Sequence, residues 1–177
     1  PCGYQAIRKR EINIPKRTYI SVPQSIIHAG GRPVFRDEDW IGAYQLKPLP
    51  VWDCARSFTS GMFNNITASE IILREQGCFE KMQCVSFHWT KTLGIGQGGA
   101  ILHDSPDADE WLRRARFDGR TEGDAPKDDA FPEIGWHCYM SPRDAAEGLS
   151  RLAVLPKHND PLPNDDYPDL SKLSIFQ

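Results

Sequence analysis

A chain of 177 residues with 40% hydrophobic and 25% charged residues has an ordinary globular composition and the length for one core that buries ~70% of its unfolded surface. Its net charge of −3 gives no reason to bind nucleic acid or an acidic membrane, and no apolar run approaches the ~18 residues of a membrane span. The five cysteines are an odd number without a CxxC pair, and the five histidines show no ligand spacing, so reduced thiols in a cytoplasmic protein and no metal site are expected.

In chain order, residues 3–10 read as a short helix, and Ile12-Asn13-Ile14 as a brief strand that Pro15 ends. Ile20, Val22, Ile26 and Ile27 place a helix within residues 19–29, begun near Pro23 and stopped by Gly30-Gly31. Pro33-Val34-Phe35 is the next strand, and Tyr44-Gln45-Leu46 a short one. Leu49 to Trp52 then delivers Asp53 at a strand's carboxyl end, where α/β sheets gather their functional groups. A helix is expected over 66–75, and strands over Met82–Phe87 and Ala100–His103. Ser105 can cap, and Pro106 start, a helix through Phe117 that sets Trp111, Leu112 and Ala115 on one face. Residues 118–130 form an acidic, glycine-containing connection. Ser141-Pro142 opens another helix through Ala145, Ala146, Leu149 and Leu152, and beyond Pro156 a proline- and aspartate-rich tail should lie extended over the surface. The alternation of strands and helices predicts one α/β domain over residues 1–156 with a tail over 157–177.

The chemistry concentrates near residue 90. Ser86 stands five residues before Lys91, and the glycine-rich run Gly94-Ile95-Gly96-Gln97-Gly98-Gly99 follows. A hydroxyl for a phosphate and an amine for a carbonyl are the two handles that pyridoxal 5'-phosphate (PLP) requires. Gly94-x-Gly96-x-x-Gly99 formally satisfies a dinucleotide fingerprint, but that motif must open a helix, and Ala100-Ile101-Leu102 reads as a strand. A Walker loop is excluded because no Gly-Lys-Ser/Thr ends the run. A serine–lysine hydrolase built on Ser86 and Lys91 would leave the other blocks below without a role.

Those blocks resemble, in order, the fold type I PLP enzymes and within them the DegT/DnrJ/StrS-type aminotransferases of nucleotide-linked sugars. Cys2-Gly3-Tyr4-Gln5-Ala6-Ile7 is similar to the family's phosphate-binding turn. Pro15-x-x-Thr18-Tyr19-x-Ser21 and Ala29-Gly30-Gly31-x-Pro33-Val34-Phe35-x-Asp37 are similar to the segment that lays an aromatic ring over the cofactor. Val51-Trp52-Asp53-Cys54-Ala55 resembles its Asp-Ala-Ala site, and Ser86-Phe87-x-x-x-Lys91 with Gly96-x-Gly98-Gly99-Ala100 its lysine segment. Gly135-Trp136-x-x-Tyr139-Met140-Ser141-x-x-x-Ala145-Ala146 resembles a later element that closes the fold.

The resemblance implies a compact version of the family's large domain, a mostly parallel sheet flanked by helices. It implies Lys91 as the Schiff-base lysine and proton shuttle, and Asp53 as partner of the pyridine nitrogen. Ser86 and the backbone of Gly3, Tyr4 and Gln5 would hold the phosphate, and Tyr19 would stack on the ring. Arg56 stands where the family usually carries glutamine, and would meet the ring oxygen or a substrate carboxylate or phosphate; His88 is expected to pack. The implied reaction moves an amino group from an amino acid, glutamate, to a nucleotide-linked keto-sugar, in a homodimer whose interface could use Trp111, Phe131 and Trp136. Relatives that dehydrate typically carry histidine for the lysine, so Lys91 favours transamination. The departures are a short bridge over residues 38–50, an extra piece over 66–80 and little chain after the Ala145–Leu152 helix. They leave open a degenerate relative that keeps the fold as a binding or regulatory module.

Overall fold

The computed structural model describes residues 7–65, 81–164 and 167–177. The helix expected over 66–75 and the first half of the one over 3–10 lie outside them. Residues 7–10 form a turn, not a helix: Arg10 N donates to Ile7 O at 3.0 Å, and Lys9 has a positive φ of 62°.

β1 (Glu11–Pro15) buries Ile12 and Ile14 completely, the alternation of a strand with one covered face. It runs parallel to β2 (Arg32–Arg36), with Ile12 opposite Pro33 and Ile14 opposite Phe35. The crossover between them is α1 (Ser21–His28), which buries Ile26. This helix starts two residues before Pro23. Proline is tolerated there because a first-turn N–H has no intrahelical partner. Gly30 ends the segment at φ 82°, a conformation that suits a residue without Cβ. Ile12, Ile14 and Ile26 gather with Tyr44 and Leu49 into one core cluster.

A second sheet has the order β3 (Tyr44–Gln45), β4 (Val51–Asp53), β5 (Met82–Ser86), β6 (Gly99–Leu102). Its outer pairs are antiparallel and only β4 and β5 run parallel. The α/β class holds, but pairing among the described strands is mixed rather than mostly parallel. The connections fit this: residues 46–50 link β3 to β4 tightly, and residues 87–98 between β5 and β6 hold no helix, whereas a parallel pair is usually joined by a helical crossover. The two sheets meet where Asn13 and Lys47 exchange backbone hydrogen bonds of 2.7 and 3.1 Å. Trp52, Cys54, Met62 and Val85 form the second core cluster, with Met62 on a single helical turn, α2 (Met62–Asn65).

Both expected caps are present. Ser105 Oγ accepts from Ala108 N at the start of α3 (Pro106–Arg116), and Ser141 Oγ accepts from Asp144 N at the start of α4 (Pro142–Val154). Gly148 of α4 sits where an added Cβ would touch Ile95 and Leu93. In the tail, Leu162 N donates to Arg56 O at 2.8 Å, and Leu170 N donates to Lys16 O at 2.9 Å. Leu170 is fully buried, two 3-10 turns follow (Leu170–Lys172 and Ser174–Phe176), and Phe176 meets the Phe35 ring at 5.4 Å. The tail thus ends folded against β1 and β2 instead of lying extended throughout. No helix among the described residues is long and apolar enough to cross a membrane.

Candidate active site

The carboxyl ends of β4 and β5 open side by side into a cleft of about 590 Å³. Asp53 pairs with Cys84 in the parallel register, so Ser86, two residues on, faces the same mouth. Beyond Ser86 the chain makes a loop closed at its base by Phe87, whose N–H donates to Gly98 O at 2.9 Å and whose carbonyl accepts from Ile95 N at 3.0 Å. Within it Lys91 N donates to His88 O at 2.8 Å. Gly94 turns the chain at φ 59°, where a Cβ would press on the Lys91 and Trp89 carbonyls. Leu93 and Ile95 are buried and anchor the loop.

Five residues singled out from sequence line this one cleft: Tyr19, Asp53, Arg56, Ser86 and Lys91. They come from three separate stretches of chain, and the parallel pairing of β4 with β5 brings two of these together. The Tyr19 ring is 60% exposed, so it is open to the cleft and not a core tyrosine. Gly3, Tyr4 and Gln5 lie outside the described residues.

Asp53 is held at both carboxylate oxygens. Ala55 N donates to Oδ1 at 2.9 Å, and Tyr44 Oη donates to Oδ2 at 3.0 Å. Tyr44 is itself 2.6 Å from Thr18 Oγ1, in a buried contact. Burial, and then the neighbouring Asp53 charge, push the Tyr44 phenol far above its ordinary range, so it stays a donor. The same two causes raise the Cys54 thiol to about 12 and the Cys84 thiol to about 11. Both cysteines beside Asp53 are therefore neutral at physiological pH and poor nucleophiles.

Arg56 is buried. Its guanidinium donates to Pro163 O and, at 3.4 Å, to Tyr167 Oη, so part of its donor set holds the tail against the cleft. Tyr167 also lines the cleft and stacks on Trp40, with centroids 6.2 Å apart and planes 17° from parallel. His88 is exposed at the cleft rather than packed in the core: its ring lies against Trp89 with centroids 5.5 Å apart, and its Nδ1 is 2.9 Å from Thr90 Oγ1. A strand end leaves its side chains at the rim, where no core forms around them.

Sequence reasoning passed over Thr18, Tyr44, Thr90 and Tyr167. Thr18 stood inside a quoted motif beside Tyr19. Tyr44 reaches the site across the β3–β4 pairing and Tyr167 through distant chain, and neither leaves a signal in its own immediate neighbours. Of the residues considered for an interface, Phe131 and Trp136 are about half exposed, and Trp111 is partly buried.

The fold has known counterparts. A sugar aminotransferase from Micromonospora echinospora superposes with a TM-score of 0.64 at 17% identity, covering 87% of this chain and 52% of that one. A DegT/DnrJ/EryC1/StrS aminotransferase from Brucella abortus gives 0.60 at 19% identity, with 87% and 52% covered. 3-Amino-5-hydroxybenzoic acid synthase gives 0.61 at 16% identity, with 87% and 48% covered. The chain spans about half the length of these structures, and identities this low speak for the fold alone. No curated protein sequence matches it. The sequence profile of the DegT/DnrJ/EryC1/StrS aminotransferase family matches residues 44–161, from the tyrosine that faces Asp53 through the lysine loop and α4. With more than half of its length under that profile, the chain belongs to the DegT/DnrJ/EryC1/StrS aminotransferase family.

Proposed function

We propose that this chain carries the PLP-binding part of a sugar aminotransferase, which moves an amino group from an amino acid, glutamate, to a nucleotide-linked keto-sugar. The observation that carries the reading is the convergence of Tyr19, Asp53, Arg56, Ser86 and Lys91 on one cleft at the carboxyl ends of β4 and β5.

The residues present suit the cofactor. The cleft volume falls within the ~300–1,000 Å³ usual for small-molecule sites. A carboxylate offers about four lone-pair positions; Ala55 N and Tyr44 Oη occupy two on Asp53, which leaves room for a pyridinium N–H. The exposed Tyr19 ring offers a flat face, and Ser86 Oγ offers a hydroxyl to a phosphate. PLP, when bound, supplies an electron sink for the carbon that exchanges its proton. Asp53 stabilises positive charge at the ring nitrogen. Lys91 Nζ would hold the cofactor at its aldehyde carbon and would supply the amine that takes up and returns the proton at the reacting carbon. Arg56 presents a fixed cation at the cleft wall, suited to an anionic substrate group. Half-exposed Phe131 and Trp136 are consistent with a homodimer.

The test is an absorption spectrum of the protein mixed with PLP, beside a Lys91→Ala variant. A saturable band near the visible edge in wild type alone, bleached by glutamate, is the expected result. A lysine-dependent band that no amino donor moves would favour a cofactor-binding relative without transamination. A folded wild type with no band would overturn the reading.

A further inference from the structure

Asp53 is tied through one buried tyrosine to the residue next to Tyr19. Tyr44 and Asp53 face each other across the antiparallel register of β3 and β4, which puts their side chains on one side of the sheet. A carboxylate only accepts, so the single phenolic proton of Tyr44 is committed to Asp53 Oδ2 at 3.0 Å. The 2.6 Å contact with Thr18 Oγ1 then requires Thr18 to donate to Tyr44 Oη. Every proton in the chain points the same way, from Thr18 to Tyr44 to Asp53. Thr18 is 1% exposed and Tyr44 8%, so water has little access to replace a lost donor. Trp40, edge-on to Tyr44 at 4.8 Å, limits the ring's freedom further.

We propose that Tyr44 is a positioning residue for PLP: it fixes the Asp53 carboxylate toward the pyridine nitrogen and, through Thr18, fixes the loop carrying Tyr19, so that both walls of the ring site are set as one unit. This rests on the PLP reading above. Tyr44 need not touch the cofactor. Its effect passes through Asp53 on one side and through the Thr18–Tyr19 backbone on the other. Loss of the phenol would leave Oδ2 without its donor and Thr18 without its acceptor, and would loosen two walls at once.

The experiment is an equilibrium titration of the full chain with PLP, reading both affinity and the position of the absorption maximum. The variants are Tyr44→Phe, Thr18→Val and Thr18→Ser, with folding checked by cooperative melting. Tyr44→Phe is expected to weaken PLP binding roughly ten-fold, as loss of a hydrogen bond to a charged group would, and to move the absorption maximum. Thr18→Val should weaken binding about three-fold, while Thr18→Ser, which keeps the hydroxyl, should restore it. The Tyr44→Phe/Thr18→Val pair should be no weaker than Tyr44→Phe alone, since both act along one chain of hydrogen bonds. Folded Tyr44→Phe protein with wild-type affinity and spectrum would overturn the inference while leaving the PLP reading intact. If Tyr44→Phe does not fold, equal affinities for the Thr18→Val and Thr18→Ser proteins would overturn it instead. A wild type that shows no Lys91-dependent band would overturn the PLP reading and this inference with it.

Discussion

The wall of the cleft around Asp53 and the segment from Phe117 to Tyr139 are made of the same kinds of residue and stabilised in opposite ways. Around Asp53 the aromatic rings face inward: Tyr44 is buried, Trp40 lies against it, and the Tyr44 hydroxyl and the Ala55 N–H satisfy the carboxylate. In the second region the backbone is the fastener. Trp136 N donates to Ala115 O at 2.6 Å, Asp118 N to Trp136 O at 3.0 Å, and Cys138 N to Arg116 O at 3.0 Å. Exposed ion pairs, among them Arg113 with Asp109 and Arg116 with Glu122, surround it. Phe131, Ile134 and Trp136 point outward at 51%, 94% and 52% exposure. Burial decides what an aromatic ring contributes. Inside it supplies packing and a fixed proton donor; outside it supplies a surface.

That contrast can be broken at its strongest point by Tyr44→Ala. Removing a buried aromatic ring should cost about 3–5 kcal/mol, read as the loss of unfolding free energy in denaturant. A cost near that of a surface change would mean that the cleft wall is not part of the core. The matching test in the second region is Gly119→Ala. Gly119 has φ 77°, and a Cβ there would lie far inside van der Waals contact distance of the Glu133 carbonyl oxygen. Left-handed strain of about 1–2 kcal/mol adds to overpacking of about 1–3 kcal/mol. A melt displaced by less than Ser105→Ala displaces it, itself worth about 1 kcal/mol as a lost cap, would refute the view that the backbone crossing holds this region.

The regions should also differ in acid. The N–H of Phe131, foremost, and that of Thr121, with Arg120 nearby, hold the Asp129 carboxyl below its usual range. A group depressed in the folded state contributes its stability above the unfolded carboxylate pKa, and the contribution is lost as pH falls through the folded value. Amide exchange at Thr121 and Phe131 should therefore accelerate on acidification below the ordinary aspartate range, and Asp129→Asn should show the faster exchange already at neutral pH. Wild-type exchange that stays flat across that window, once corrected for intrinsic rates, would remove Asp129 from the account. The smallest effect belongs to Trp136→Ala, within about 0.5 kcal/mol for an exposed side chain. A larger loss that grows with protein concentration would show that a second copy covers this face.

Local signals carried much of this far. Ser105-Pro106 and Ser141-Pro142 announced two helix starts because capping needs only neighbouring residues. Asp53 was legible as the end of an apolar strand before small residues, and Lys91, with Ser86 upstream, from its place between a strand and a glycine-rich run. What could not be read was set by how separate segments meet. The antiparallel placement of β3 beside β4 and of β6 beside β5 depends on which strands meet, and short strands carry little information about that. Tyr44 and Thr18 are 26 residues apart, so the sequence held no sign that one would feed a proton to the other. Arg56 is buried by contacts with Pro163 and Tyr167, more than a hundred residues on, and its neighbours gave no sign of that burial, only an expected contact with the ring oxygen or a substrate anion.

The loop from His88 to Gly98 has a consequence of a different kind. Its base is fastened at Phe87, and its weight rests on Leu93 and Ile95, while Lys91 hangs from the span between. Chemistry and architecture are therefore written in different letters of the same short stretch. A single codon change at position 91 would remove the amine and leave the Phe87, Leu93 and Ile95 supports of the loop in place. On the PLP reading proposed above, a lineage of this protein could in that way lose the cofactor's anchor in one mutational step while keeping the buried supports of the loop.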